Sequence, residues 1–129
     1  MELHEWNLPV QVKRLPKDIR QALIAGLSQE GRFLTQYGFA TEQTRSRHYN
    51  PDGYWRGPIW APSTMIIIDG LAASGEKALA SKAAERFCRM CRESGFAENY
   101  DALTGQRRHD PAYTWAASVF LVLAHEYLT

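Results

Sequence analysis

Two short stretches concentrate side chains that could do chemistry. Residues 54–60 read YWRGPIW and set Tyr54, Trp55 and Trp60 around one guanidinium, Arg56, with Gly57 and Pro58 between them. Flat aromatic faces stack on the C–H faces of sugar rings, and a guanidinium offers a fork of donors to hydroxyls or to a carboxylate. The Gly57-Pro58 pair would fix the backbone that aims them. Residues 98–105 read ENYDALTG, where Glu98 precedes the turn-formers Asn99, Asp101, Thr104 and Gly105. A carboxylate beside an aromatic wall is half of what glycosidic hydrolysis needs, because a second carboxyl group must act as the acid. Each stretch also has a plainer reading. The tryptophans would then fill core and Arg56 would pair with a structural acid, while Glu98 would be a solvated loop residue and 101–105 only a turn. His48 and His109 stand alone, and Asp110 is placed to cap the helix that follows it.

Cys88 and Cys91 form a CxxC, the spacing of a redox pair or of half a zinc site. They fall late in an expected helix, where the dipole disfavours thiolate, and neither His109 nor His125 lies at finger or ribbon spacing. Buried core thiols are the better reading, so neither a metal nor a cofactor is expected. Fifteen Lys and Arg against fourteen Asp and Glu give a formal charge of +1 without a basic block. That argues against nucleic acid or an anionic membrane as partner. The start, MELHEW, lacks the order of a signal peptide and suggests a cytoplasmic protein. The longest mostly apolar run, 112–124, is short of the roughly 20 residues that span a bilayer. At 129 residues and 45% hydrophobic content, one domain over 1–129 is expected.

The elements that must carry these residues read as helices. Residues 10–12 suggest a short extended piece, and Pro16 suits a first helical turn. Residues 17–27 then repeat Ile19, Leu23 and Leu27 at helical spacing, with Gly31 as punctuation. Phe33 and Leu34 suggest a short turn. Residues 37–59 hold Gly38, Asn50-Pro51-Asp52-Gly53 and Gly57-Pro58, which predicts a long irregular loop whose aromatics keep it ordered. The run 63–74 mixes MIII, which favours strand, with alanines and a length that favour helix; helix is expected. Residues 76–94 alternate an alanine, phenylalanine and cysteine face with a charged face, and Gly95 suits its C-cap. Residues 111–128 are apolar nearly all round and predict a helix with neighbours on every side. The fold class expected is all-α, with antiparallel helical hairpins and no strand.

The order of motifs adds a further reading. DGYWRGPIW (52–60), a helix, DGL (69–71), an amphipathic helix, GFAENYDALTG (95–105) and YTWAASVFLVL (113–123) together resemble the C-terminal part of glycoside hydrolases with an (α/α)6 barrel. The nearest resemblance is to glycoside hydrolase family 63, which holds processing α-glucosidases and mannosylglycerate and glucosylglycerate hydrolases. It extends over roughly residues 15–123, and the chain departs from the common pattern at Pro62-Ser63-Thr64. The resemblance implies a partial toroid, about a third of the barrel. It also implies a sugar pocket lined by Tyr54, Trp55, Arg56, Gly57 and Trp60, with Glu98 as general base, Tyr100 beside it and Trp115 at the border. The family inverts the anomeric centre with an aspartic acid far upstream, here before Met1. The expectation is therefore the C-terminal portion of an inverting α-glycosidase for α-glucosides or α-mannosides, lacking the acid and weak or inactive alone. Its partners would be carbohydrate and either the missing barrel half or further copies in a homo-oligomer. The alternative is a non-catalytic carbohydrate-binding or self-associating module.

Overall fold

The computed structural model describes residues 15–29 and 31–129, so the extended piece expected at 10–12 lies outside the described residues. Helix α1 spans Lys17–Ser28, α2 Ala61–Ala73, α3 Lys77–Ser94 and α4 Thr114–Tyr127, and two short strands, β1 Asn99–Tyr100 and β2 Arg107–Arg108, lie between α3 and α4. None of the described helices is long and apolar enough to cross a membrane.

Helix α2 forms despite its Met65-Ile66-Ile67-Ile68 run. Trp60 enters it in an extended conformation, and a proline in its first turn gives up an N–H that has no helical partner anyway. Burial of Thr64, Ile68 and Leu71 then outweighs the β-branched preference. Helix α3 buries Ala80, Ala83, Ala84, Phe87, Cys88, Met90 and Cys91, and it ends where Gly95 takes φ 85°, with its N–H on the Cys91 carbonyl. Helices α2, α3 and α4 pack on one another around Ile68, Phe87, Cys91, Ala116 and Leu123. The small residues on α3 allow close approach.

Several expectations change at this level. Residues 111–113 are not helical: Asp110 closes a turn by accepting the Ala112 N–H at 2.9 Å, and the Tyr113 N–H is held by the Phe96 carbonyl at 2.8 Å. Helix α4 therefore begins at Thr114 with no side-chain cap, and Asp110 does not cap it. The helix is not enclosed on every side, since Leu121 is 66% exposed. On α1, Ile19 and Leu23 face solvent, while Ile24 and Leu27 pack against the core.

A further change is a small β ladder. Asn99 pairs with Arg108 and Tyr100 with Arg107 in antiparallel register. Ile59 bridges to Tyr100 and Ala40 bridges to Ile59, so the long loop is tied edge-on to the strand that follows Glu98. Loop 37–60 is otherwise irregular, as its turn-formers predict. Arg86 and Arg89, on the charged face of α3, pin its start by donating to the Thr35 and Gln36 carbonyls at 2.7 and 2.9 Å.

Candidate active site

The ladder is what brings the two sequence motifs together. Ile59 N–H donates to the Tyr100 carbonyl at 2.7 Å and Tyr100 N–H to the Ile59 carbonyl at 3.0 Å. One residue beyond this pair on each side stand Trp60 and Glu98's neighbour Asn99. Thr41 supports the loop from below, accepting the Gly57 N–H at 3.1 Å and donating to the Pro58 carbonyl at 2.9 Å. A side chain at 57 would meet the Asn50 carbonyl oxygen 2.2 Å from its Cβ, so only glycine fits there.

The aromatic wall is built in layers. Trp60 is fully buried and donates its indole N–H to the Tyr54 carbonyl at 2.8 Å. Trp55 stacks on its outer face, centroids 3.9 Å apart and planes 11° from parallel, and remains 47% exposed. Tyr54 meets Trp60 edge-on at 4.6 Å, and Trp115 meets it edge-on at 5.5 Å. Trp60 thus backs the wall, while Trp55 and Tyr54 present it. Arg56 is exposed, and its guanidinium makes no hydrogen bond or ion pair with the described residues.

Glu98 sits against this wall. Its Oε1 accepts the Tyr54 hydroxyl at 2.9 Å, and its Oε2 faces the Asp110 N–H at 3.5 Å. Its backbone is fixed too: the N–H donates to the Asp110 carbonyl at 2.8 Å, and the carbonyl accepts the Trp115 indole N–H at 3.2 Å. Donation to the carboxylate raises the Tyr54 phenol above its ordinary value. A carboxylate has about four lone-pair positions, so two remain for a water or a sugar hydroxyl.

Tyr100 is placed elsewhere than expected. It is fully buried, its hydroxyl donates to the Gly95 carbonyl at 2.7 Å and accepts the Ala97 N–H at 2.9 Å, and its ring packs edge-on against Phe87. Burial, and then Cys91 beside it, push its phenol upward. It anchors the loop and offers no polar atom to a ligand. Cys88 and Cys91 are free buried thiols, pushed by burial up to about 11 and about 12. Among the described residues no group of three metal-ligating side chains gathers.

The residues that sequence reasoning passed over are His109 and the Asp110 backbone. His109 adopts φ 60°, packs edge-on to Tyr54 at 5.8 Å and places Nε2 3.3 Å from Asp52. Its only sequence signal is that histidine tolerates the left-handed region better than most side chains. Four aspartates of the described residues, near the site or away from it, have partners of their own, Asp110 the Ala112 N–H among them. Asp101 is buried with Arg108 at 2.6 Å, Asp52 faces Arg108 and His109, and Asp69 accepts the Tyr127 hydroxyl at 2.6 Å. An open groove of about 530 Å³ runs beside the site, lined by Asp110, Tyr113, Trp115, Ser118 and Val119 among others. A similar cavity of about 550 Å³ among Arg45, Lys82 and Arg86 shares no residue with the wall, so chemistry and not volume selects the site.

The packed helices and their connecting loops thus set one carboxylate, Glu98, against an aromatic wall. The chain belongs to the mannosylglycerate hydrolase MGH1-like glycoside hydrolase domain family, whose model matches residues 5–116. Mannosylglycerate hydrolase of Thermus thermophilus is 29% identical over 106 residues, 82% of this chain and 26% of that protein. Its counterpart in Rubrobacter radiotolerans is 35% identical over 68 residues, 53% of this chain and 15% of that protein. The crystal structure of the family 63 mannosylglycerate hydrolase from Thermus thermophilus in complex with glucose superposes with TM-score 0.72 at 28% identity, covering 83% of this chain and 28% of that one. The fold is part of an (α/α)6 barrel, and the chain spans about a quarter of the length of the Thermus relative.

Proposed function

We propose that this chain supplies the base-bearing wall of an inverting α-glycosidase site that acts on α-glucosides or α-mannosides. Glu98 is the general base. Trp55, backed by Trp60 and bordered by Tyr54 and Trp115, is the stacking face, Arg56 is the donor at the rim, and Gly57 holds the loop's close approach. The observation that carries this reading is the Glu98 carboxylate, fixed at both oxygens against the aromatic wall with lone pairs left over. Asp52, Asp69, Asp101 and Asp110 are each committed to another partner, which supports a general acid contributed by barrel helices outside these 129 residues. The relatives' names and the glucose complex support the substrate class.

The test is Glu98→Gln in a barrel completed in cis or in trans with the remaining helices. Glutamine keeps the size but cannot take a proton from water, so turnover should fall by about 10²–10⁴-fold while sugar affinity is largely retained. An undiminished rate with glutamine at 98 removes the assignment. A second reading, a non-catalytic module that binds carbohydrate or associates with itself, is favoured by the exposure of Leu121, Val122 and Leu128 on and after α4. A completed barrel that binds sugar but never turns it over would select it.

A further inference from the structure

The geometry points to a clamp on the Glu98 carboxylate, with the Tyr54 hydroxyl as one jaw and the His109–Asp110 turn as the other, that sets the direction in which Glu98 presents its remaining lone pairs. The inference rests on the reading of Glu98 as the base and adds to it two positioning residues, Tyr54 through its hydroxyl and His109 through its backbone.

Among the described residues, Tyr54 and His109 are the non-glycine residues with positive φ, each at 60°. A bulky side chain adopts this conformation only where surrounding contacts hold it there, and such residues gather at functional sites. These two lie 55 positions apart in sequence, yet their ring centroids are 5.8 Å apart, and the Tyr54 hydroxyl and the N–H of Asp110, the residue after His109, both point at the Glu98 carboxylate. For Tyr54 the left-handed backbone turns its carbonyl to the Trp60 indole at 2.8 Å and sets its ring edge-on to the stacked Trp55–Trp60 pair, leaving the hydroxyl 2.9 Å from Oε1. For His109 it shifts the chain after β2 by one residue from the ladder's register, so that Asp110 both accepts the Glu98 N–H at 2.8 Å and points its own N–H at Oε2, 3.5 Å away. The imidazole is spent on Asp52, not on the carboxylate. Both jaws are donors, which matches an acceptor group that must still hold a water. Were Tyr54 only a stacking face, its hydroxyl would have no reason to meet the base.

Two measurements test the clamp. In the full chain carrying tyrosine labelled at Cζ, the Tyr54 resonance, assigned by its loss in Tyr54→Phe, should titrate above an ordinary phenol in the wild type and fall back toward it in Glu98→Gln. In the completed barrel, Tyr54→Phe keeps the ring and should lower kcat by about 10- to 100-fold, as a misplaced catalytic group does, with KM changed by less than about 3-fold. His109→Val, whose β-branched side chain does not tolerate positive φ, should lose rate as Tyr54→Phe does, and His109→Gly, which tolerates it, should lose less than His109→Val. A Tyr54 titration that Glu98→Gln leaves unmoved overturns the clamp, and so does a full rate in Tyr54→Phe alongside a dead Glu98→Gln. A full rate in Glu98→Gln would instead overturn the base assignment. If a variant fails to fold, the titration in Glu98→Gln still decides the hydrogen bond.

Discussion

Asp101 shows how much of a site is held by residues that never meet a ligand. Its Oδ1 accepts the Leu103 and Thr104 N–H groups at 2.8 and 3.0 Å, and its Oδ2 accepts the Arg108 guanidinium at 2.6 Å. Burial alone would raise its pKa; Arg108 and the two backbone donors outweigh burial and hold it below the usual carboxylate range. A lowered folded pKa means stability that is fully present above the unfolded value, near pH 4, and is lost as pH falls through the folded one. Asp101→Asn should therefore cost about 1.5–3 kcal/mol at neutral pH, the range for hydrogen bonds to a charged group, and should flatten the loss of stability between about pH 5 and pH 2. Urea denaturation across that range measures both. At this scale the sequence was informative about side-chain type and poor about partners. YWRGPIW and ENYDALTG were recognisable because their residues are rare together, and the turn at 101–105 follows from its residue types. That Tyr100 points into the core while Glu98 does not depends on which strand edge Ile59 pairs with, and no local pattern encodes that.

Among the elements, legibility follows period. Helix α3 was readable almost to the residue because its apolar face repeats over five turns and Gly95 closes it. Helix α2 was readable from length in spite of its isoleucines. The strands were not, because two residues carry no alternation, and α4 starts only at Thr114 because Asp110 closes a local turn on Ala112 and the distant Phe96 carbonyl holds the Tyr113 N–H. The glycines give a matched test of element packing. A Cβ at Gly70 meets nothing within 4 Å, whereas one at Gly57 lands 2.2 Å from a backbone oxygen. Gly70→Ala should thus stabilise the chain by about 0.5–1 kcal/mol through helix propensity. Gly57→Ala should destabilise it by about 1–3 kcal/mol, as overpacking does, and weaken sugar affinity in the completed barrel by displacing Trp55 and Arg56. Thermal melts of the two variants, read together, check the sign of each.

For the whole molecule, the apolar residues left in water matter most. Leu121 on α4, Leu23 and Ile19 on α1 and Ile66 on α2 are all about half exposed or more. These are positions that helical spacing assigns to packing, and the chain covers about a quarter of its Thermus relative. Large exposed apolar patches seek cover. In isolation the chain should sediment as a concentration-dependent oligomer at micromolar levels, and adding the remaining barrel helices should replace self-association with a defined complex. A clean monomer across that range would count against exposed packing faces.

The two thiols of α3 have a practical consequence. With values pushed up to about 11 and about 12, and with no solvent access, they stay protonated and shielded at the pH used for maleimide coupling. The folded chain is therefore effectively cysteine-free to such a reagent. A single cysteine introduced at Leu121 could carry a fluorophore without removing either native sulfur. The dye would report the moment that face of α4 becomes covered.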